Sequence, residues 1–236
     1  MRITTIGFDA DDTLWHNETI FRLTHDRFVD LLAEHGDRDD IEARLSATEQ
    51  RNLRLYGYGV KGFTLSMIET AMELTGGEAP PGVMREILAA GREMLAHPVE
   101  TLPGVDEALA ALAERHRLVL ITKGDLLDQE RKLAQSGLGD LFHGVEIVSH
   151  KTPGAYRAIF SRHGTGADQA MMVGNSLKSD VIPALEAGSW GVHIPHGLTW
   201  ALEAADPPRS HRRFHELPDL GGLPGLVAKV QPIRNS

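Results

Sequence analysis

Asp9, Asp11 and Asp12 follow directly on the run Ile3-Thr4-Thr5-Ile6-Gly7-Phe8 and precede Thr13. A largely apolar run that switches sharply to acid reads as a buried strand carrying carboxylates at its C-terminal tip. Ligands in open α/β sheets bind beyond such strand ends. An aspartate there can be a covalent nucleophile or an oxygen ligand for a hard cation such as Mg2+. A second carboxylate two residues on can move protons at the same reacting atom. Later in the chain, Thr122-Lys123-Gly124, Lys151, Asn175-Ser176 and Asp180 add hydroxyls, an ammonium and a further carboxylate. This set suits an anionic substrate. With a cation held by Asp9, Asp180 and a backbone carbonyl, Asp9 can approach a phosphoryl group while Lys151 neutralises its oxygens. Thr122 and the N–H groups after it can orient those oxygens. Asp11 can then protonate the leaving oxygen and later deprotonate a water.

These residues need a scaffold that collects strand ends at one edge, and the hydrophobic pattern supplies it. After the first strand, residues 17–97 read as four helices without a strand, marked by Phe21, Phe28 and Leu31, then Ile41 and Leu45, then Leu65, Ile68 and Met72, then Ile87, Leu88 and Leu95. From Leu102-Pro103-Gly104 strands and helices alternate. Strands are expected at Leu118–Ile121, Val145–Val148, Ala170–Gly174 and Trp190–Ile194, with a last edge strand near Arg212–His215. The intervening helices begin at Leu102-Pro103-Gly104, near Leu126 or Leu127 with Leu133 inward, at Thr152-Pro153 and near Ser179. Alternation of this kind predicts an α/β fold, a parallel sheet covered by helices on both faces, with the all-helical segment inserted after the first strand. The 236 residues are 42% hydrophobic, enough for a substantial core, and the net charge of −9 argues against nucleic acid or anionic membrane as a partner. With no cysteine, no signal-like apolar segment and no membrane-length run, a cytoplasmic, soluble protein is expected.

The acidic motif and its partners resemble the haloacid dehalogenase-like (HAD) hydrolases. Phe8-Asp9-Ala10-Asp11-Asp12-Thr13-Leu14 is similar to the family's first motif, Leu120-Ile121-Thr122 to the second, Lys151 to the third and Gly174-Asn175-Ser176-Leu177-Lys178-Ser179-Asp180 to the fourth, in the family's order. The resemblance implies a Rossmann-like core (1–16 and 98–236) and makes residues 17–97 a C1-type cap, a mobile lid. It implies Mg2+-dependent phosphoryl transfer through Asp9, acid/base catalysis by Asp11, phosphate contacts from Thr122 and Lys151, and metal ligation by Asp9, the Asp11 carbonyl and Asp180. Thr13, Lys123 and Gly124 extend the expected phosphate site. Asn175 stands where the family often has Asp, replacing an anionic ligand by an amide that can act through water; Thr152 follows Lys151 in place of the more usual proline.

The expected activity is hydrolysis of a small phosphomonoester. Its rivals are 2-haloacid dehalogenation, which in this family lacks the second acid and the metal, a phosphotransferase or mutase, and a non-catalytic binding protein on the same fold. Gly57-Tyr58-Gly59-Val60-Lys61-Gly62 has dinucleotide-loop spacing but follows a helix instead of a strand. It is read as a cap loop that puts Lys61 and the tyrosines against the substrate. The pairs His193/His196 and His211/His215 lack a third zinc ligand and are read as packing or surface residues. Substrate identity and oligomeric state are not encoded in this periodicity.

Overall fold

The computed structural model describes residues 2–198, 200 and 203–230. The chain divides into two compact units, one comprising residues 1–16, 99–123 and 129–236, the other residues 17–98 with 124–128.

The first unit is built on a sheet of β1 (Thr5–Phe8), β2 (Arg117–Thr122), β3 (Gly144–Ile147), β4 (Ala170–Gly174), β5 (Trp190–His193) and β6 (Phe214–Glu216). The spatial order is β3-β2-β1-β4-β5-β6 and every pairing is parallel. β1 is central because both its faces are covered and both its edges are paired: Phe8 stands opposite Leu120 on one side and Val173 on the other. Strand side chains alternate between faces, so β2 splits its apolar run. Leu118 and Leu120 enter the core formed with α5 (Val105–Ala113) and α9 (Leu223–Val230), whereas Val119 and Ile121 enter the core formed with α7 (Pro153–His163) and α8 (Ile182–Glu186). Gly7 faces this second layer, where an added Cβ would lie 2.7 Å from Ile121 Cδ1 and 3.1 Å from Met172 Sδ.

Beyond β1 the chain makes a tight turn, with Leu14 N–H donating to the Ala10 carbonyl at 2.8 Å. Asp12 adopts φ +60°, a left-handed conformation that Asp tolerates better than most residues, and it serves as the turn residue. The outgoing and returning segments then pair, with Trp15 bridging antiparallel to Thr101 and Leu102 N–H donating to the Leu14 carbonyl at 2.9 Å.

The second unit consists of α1 (Glu18–Leu31), α2 (Arg38–Tyr56), α3 (Val60–Leu74) and α4 (Pro81–Ala96) around its own apolar core. Asp37 caps α2 by accepting from Asp40 N–H at 2.9 Å. Gly57 and Gly59, at φ +73° and +106°, end α2 and start α3, so the break is shorter than the glycine-rich stretch suggests: Lys61 and Gly62 lie in the first turn of α3. The buried stripe of α3 is Val60, Phe63, Met67 and Ala71; Leu65 and Met72, which share the same helical spacing, are exposed. In α6 (Leu126–Ser136) Leu133 packs against the core as expected, but the two leucines at its start do not. Leu126 and Leu127 are 59% and 68% exposed, while Gln129 and Lys132 are buried. Among the described residues no helix is long and apolar enough to cross a membrane.

Because Gly7 meets packed side chains, Gly7→Val should destabilise the sheet unit by about 1–3 kcal/mol through overpacking. Urea unfolding followed by tryptophan fluorescence measures this, and an unchanged midpoint would show that the layer accommodates the extra methyls.

Candidate active site

The parallel sheet brings the ends of β3, β2, β1 and β4 side by side, and the candidate residues lie in the connections that leave those ends. Asp9 continues the ladder past β1, its N–H donating to the Val173 carbonyl at 2.9 Å, and its side chain is buried. Lys151 precedes α7, whose N-terminus is capped by Thr152 accepting from Ala155 N–H at 3.1 Å. The Lys151 ammonium donates to Asp9 Oδ1 and to Asp180 Oδ1, the latter at 2.7 Å. Asp180 sits on a single π-helical turn, Leu177–Val181, and its Oδ2 accepts from Ser176 N–H at 2.9 Å. π turns are rare and occur disproportionately at functional sites. Gly174 makes this approach feasible, since a Cβ there would lie 2.2 Å from Asp180 Oδ2.

Thr13 ties the first and fourth motifs together. It accepts from Asn175 N–H at 3.0 Å and donates to Asp9 Oδ2 at 3.2 Å, with the Asn175 amide oxygen 3.4 Å away. The Asn175 carbonyl is in turn 3.1 Å from His193 Nε2, whose Nδ1 lies 3.0 Å from Glu216. His193 is thus a packing residue of the site's support, and His215 stacks on Trp190.

Electrostatics separate the two acids. Burial, reinforced by the neighbouring Asp180 carboxylate, pushes Asp9 up to about 7 against the opposing pull of Lys151. Burial also works against charge on Lys151, but Asp180 and Asp9 together hold it protonated and raise its pKa. Asp11 goes the other way. Burial opposes its ionisation, yet Lys132, Trp15 and Gln129 outweigh it and hold the carboxyl below the usual range. Oδ1 accepts from Trp15 Nε1 at 2.7 Å and Lys132 Nζ at 2.9 Å; Oδ2 accepts from Gln129 Nε2 at 2.9 Å. Two carboxylates and one ammonium leave excess negative charge beside an amide oxygen. An oxygen-only donor set of that kind suits a hard divalent cation, so Asp9, Asp180 and Asn175 fit Mg2+.

A family model described as haloacid dehalogenase-like hydrolase matches residues 3–188. The chain belongs to the haloacid dehalogenase-like hydrolases. Among solved structures, a haloacid dehalogenase-like family hydrolase from Xanthomonas campestris is 44% identical with a TM-score of 0.85, covering 96% of this chain and 91% of that one. A HAD hydrolase from Bacillus subtilis bound to magnesium shares the fold at 16% identity and a TM-score of 0.65, covering 96% of this chain and 99% of its own. A curated relative, glyceraldehyde 3-phosphate phosphatase of Pyrococcus abyssi, is 26% identical over 201 residues, which are 83% of this chain and 82% of that protein.

Within this HAD framework the structure gathers Asp9, Thr13, Lys151, Asn175 and Asp180 into one hydrogen-bonded cluster. Asp11 is held beside it by α6. Thr122 is buried at the end of β2 and makes a long 3.4 Å hydrogen bond to Gln129 Oε1, and Gly124 follows at φ +129°. Lys123 is committed elsewhere, donating to Glu203 at 2.6 Å and to Ser179 at 2.9 Å. Lys61 belongs to the helical unit, where it pairs with Asp125 at 2.9 Å. Residues absent from the sequence-based site are Trp15, Gln129, Lys132 and Glu203. The carboxylate of Glu203 also accepts from Ser176 and Ser179, each at 2.5 Å. The available signal was the i, i+3 polar pair Gln129/Lys132 in the helix that follows Thr122.

Two outcomes follow from this geometry. Gly174→Ala should displace Asp180 and lower hydrolytic turnover about 100-fold, the scale of a misplacement of roughly 1 Å; steady-state kinetics would reveal it, and full activity would contradict the close approach. Asp9 is protonated in the metal-free native protein between its ordinary value of 3.8 and about 7, whereas the unfolded chain has already ionised. Stability from this group is therefore present at low pH and lost as pH rises through that window. Thermal melts in EDTA should show this decline, and Asp9→Asn should flatten it.

Proposed function

We propose that this HAD hydrolase is a Mg2+-dependent phosphatase acting on a small phosphomonoester through an aspartyl-phosphate on Asp9. The observation that carries the reading is the buried Asp9–Lys151–Asp180 cluster with Asp11 two residues from the nucleophile. The glyceraldehyde 3-phosphate phosphatase name of the curated relative and the magnesium bound by the Bacillus subtilis neighbour support it.

Mg2+ would be held by Asp9, Asp180, the Asp11 carbonyl and Asn175, and when bound it offsets repulsion between the nucleophilic carboxylate and the phosphoryl oxygens. An Asp9 oxygen attacks phosphorus and the ester P–O bond breaks. Asp11, held as an anion in the unliganded site, takes up a proton from a substrate bound as its monoanion and gives it to the departing oxygen, releasing the alcohol. Water then attacks the phosphorus of the acyl phosphate, passes a proton to the Asp11 carboxylate and expels the Asp9 carboxylate, releasing inorganic phosphate and restoring both acids. Lys151 neutralises the phosphoryl oxygens in both halves, and Thr122 with the N–H groups that follow orients them. Lys123 supports these loops through Ser179 and Glu203. The helical unit acts as the cap that selects the substrate, with Lys61 contributing through its place on α3.

A panel of phosphorylated metabolites that includes glyceraldehyde 3-phosphate, assayed with and without Mg2+, tests the reading. Turnover should disappear in EDTA, return on adding Mg2+, and fall by about four orders of magnitude or more in Asp9→Asn, the scale seen when a covalent nucleophile is removed. Undiminished phosphatase activity in that variant would sink the mechanism. Metal-independent release of halide from a 2-haloacid would assign the dehalogenase chemistry instead.

A further inference from the structure

α6 carries polar groups on a face that a core helix would ordinarily make apolar. Gln129 is 3% exposed and Lys132 8% exposed, one turn apart, and both end on Asp11. A buried amide costs free energy unless it is hydrogen-bonded, and Gln129 directs its donor at a group of the site. Its Nε2 donates to Asp11 Oδ2 at 2.9 Å, while its Oε1 stands 3.4 Å from the Thr122 hydroxyl, which has a nearer acceptor in the Lys123 carbonyl at 3.2 Å. Trp15 and Lys132 meanwhile occupy the other oxygen, Oδ1. The carboxyl plane of Asp11 is therefore defined by contacts on both oxygens, and the one on Oδ2 comes from a neutral group.

We propose that Gln129 is a positioning residue: it sets the orientation of the Asp11 carboxyl toward the departing ester oxygen. The proposal rests on the phosphatase reading above, in which Asp11 protonates the leaving group. Each carboxylate oxygen has two lone-pair sites, so the Gln129 contact leaves Oδ2 a second site for proton transfer while removing its rotational freedom. Held this way, the acid contributes most where the departing oxygen is strongly basic, as in an alkyl ester. It contributes little where that oxygen leaves readily without a proton, as in an aryl ester with an electron-withdrawing ring.

The test compares wild type with Gln129→Met, which keeps side-chain length and charge but removes both amide groups. kcat/KM is measured on the best alkyl phosphomonoester from the metabolite panel and on p-nitrophenyl phosphate, because this ratio reports the steps through departure of the leaving group. Expected is a loss of about 10- to 100-fold on the alkyl ester, within the usual reach of general acid catalysis, with less than about threefold on p-nitrophenyl phosphate. If Gln129→Met does not fold, judged by its thermal melt, Gln129→Ala removes the same amide in a smaller side chain and carries the same expectation. Equal losses on both esters would make Gln129 a merely structural residue, and no loss on either would make its contacts irrelevant; both overturn the inference while leaving the phosphatase reading intact. Wild type that hydrolyses no phosphoester overturns the phosphatase reading and this inference with it.

Discussion

The site depends on one buried ion cluster: the Lys151 ammonium set between the carboxylates of Asp9 and Asp180. Burying an ammonium between two carboxyl groups is expensive, and deleting one member of such a cluster leaves a buried group without its partner. The sheet bears that cost because it presents the three groups from three different connections. Asp9 leaves β1, Lys151 precedes α7 and Asp180 rides on the π-helical turn after β4. Two carboxyl groups around one ammonium make the cluster a poor source of stability, and their oxygens suit a hard cation.

A second constraint separates the two acids of the first motif. Asp9 meets a like charge and little solvent, which favours its neutral form; Asp11 meets Lys132, the Trp15 indole and the Gln129 amide, which favour its anion. Two carboxyl groups two residues apart thus occupy opposite electrostatic environments while no cation or substrate is bound. The tight turn governed by Asp12 sends the two side chains to different neighbours.

Much of the scaffold was legible in the chain because its signals are local. The runs at β1, β2, β4 and β5 are apolar and rich in β-branched residues or glycine, Thr152-Pro153 marks the start of α7, and alternation of strand and helix implies a parallel sheet. The misreadings fall where two local patterns compete. On α3, Leu65 and Met72 have the same helical spacing as Phe63, Met67 and Ala71, and packing within the helical unit selects the second stripe. On α6, Leu133 packs against the core as expected, but Leu126 and Leu127 stay exposed while Gln129 and Lys132 turn inward, where Asp11 supplies partners for them. α1 stops at Leu31, its last apolar marker, and the segment that follows closes in turns through bonds such as His35 N–H to the Leu32 carbonyl.

The sequence by itself determined which residues could do chemistry, their order along the chain and the α/β alternation that collects them, because residue type and periodicity are properties of short segments. It also distinguished Asp9, at the strand end, from Asp12, in the turn. Only the tertiary structure decided that Asp180 and Asp9 share Lys151, that Lys123 is bound to Glu203, and that Asp11 is gripped from α6. Those outcomes depend on distances between segments more than twenty residues apart in sequence. They turn on the balance between the cost of burying a charge and the partners available to offset it, and that balance exists only once the sheet has brought the partners together.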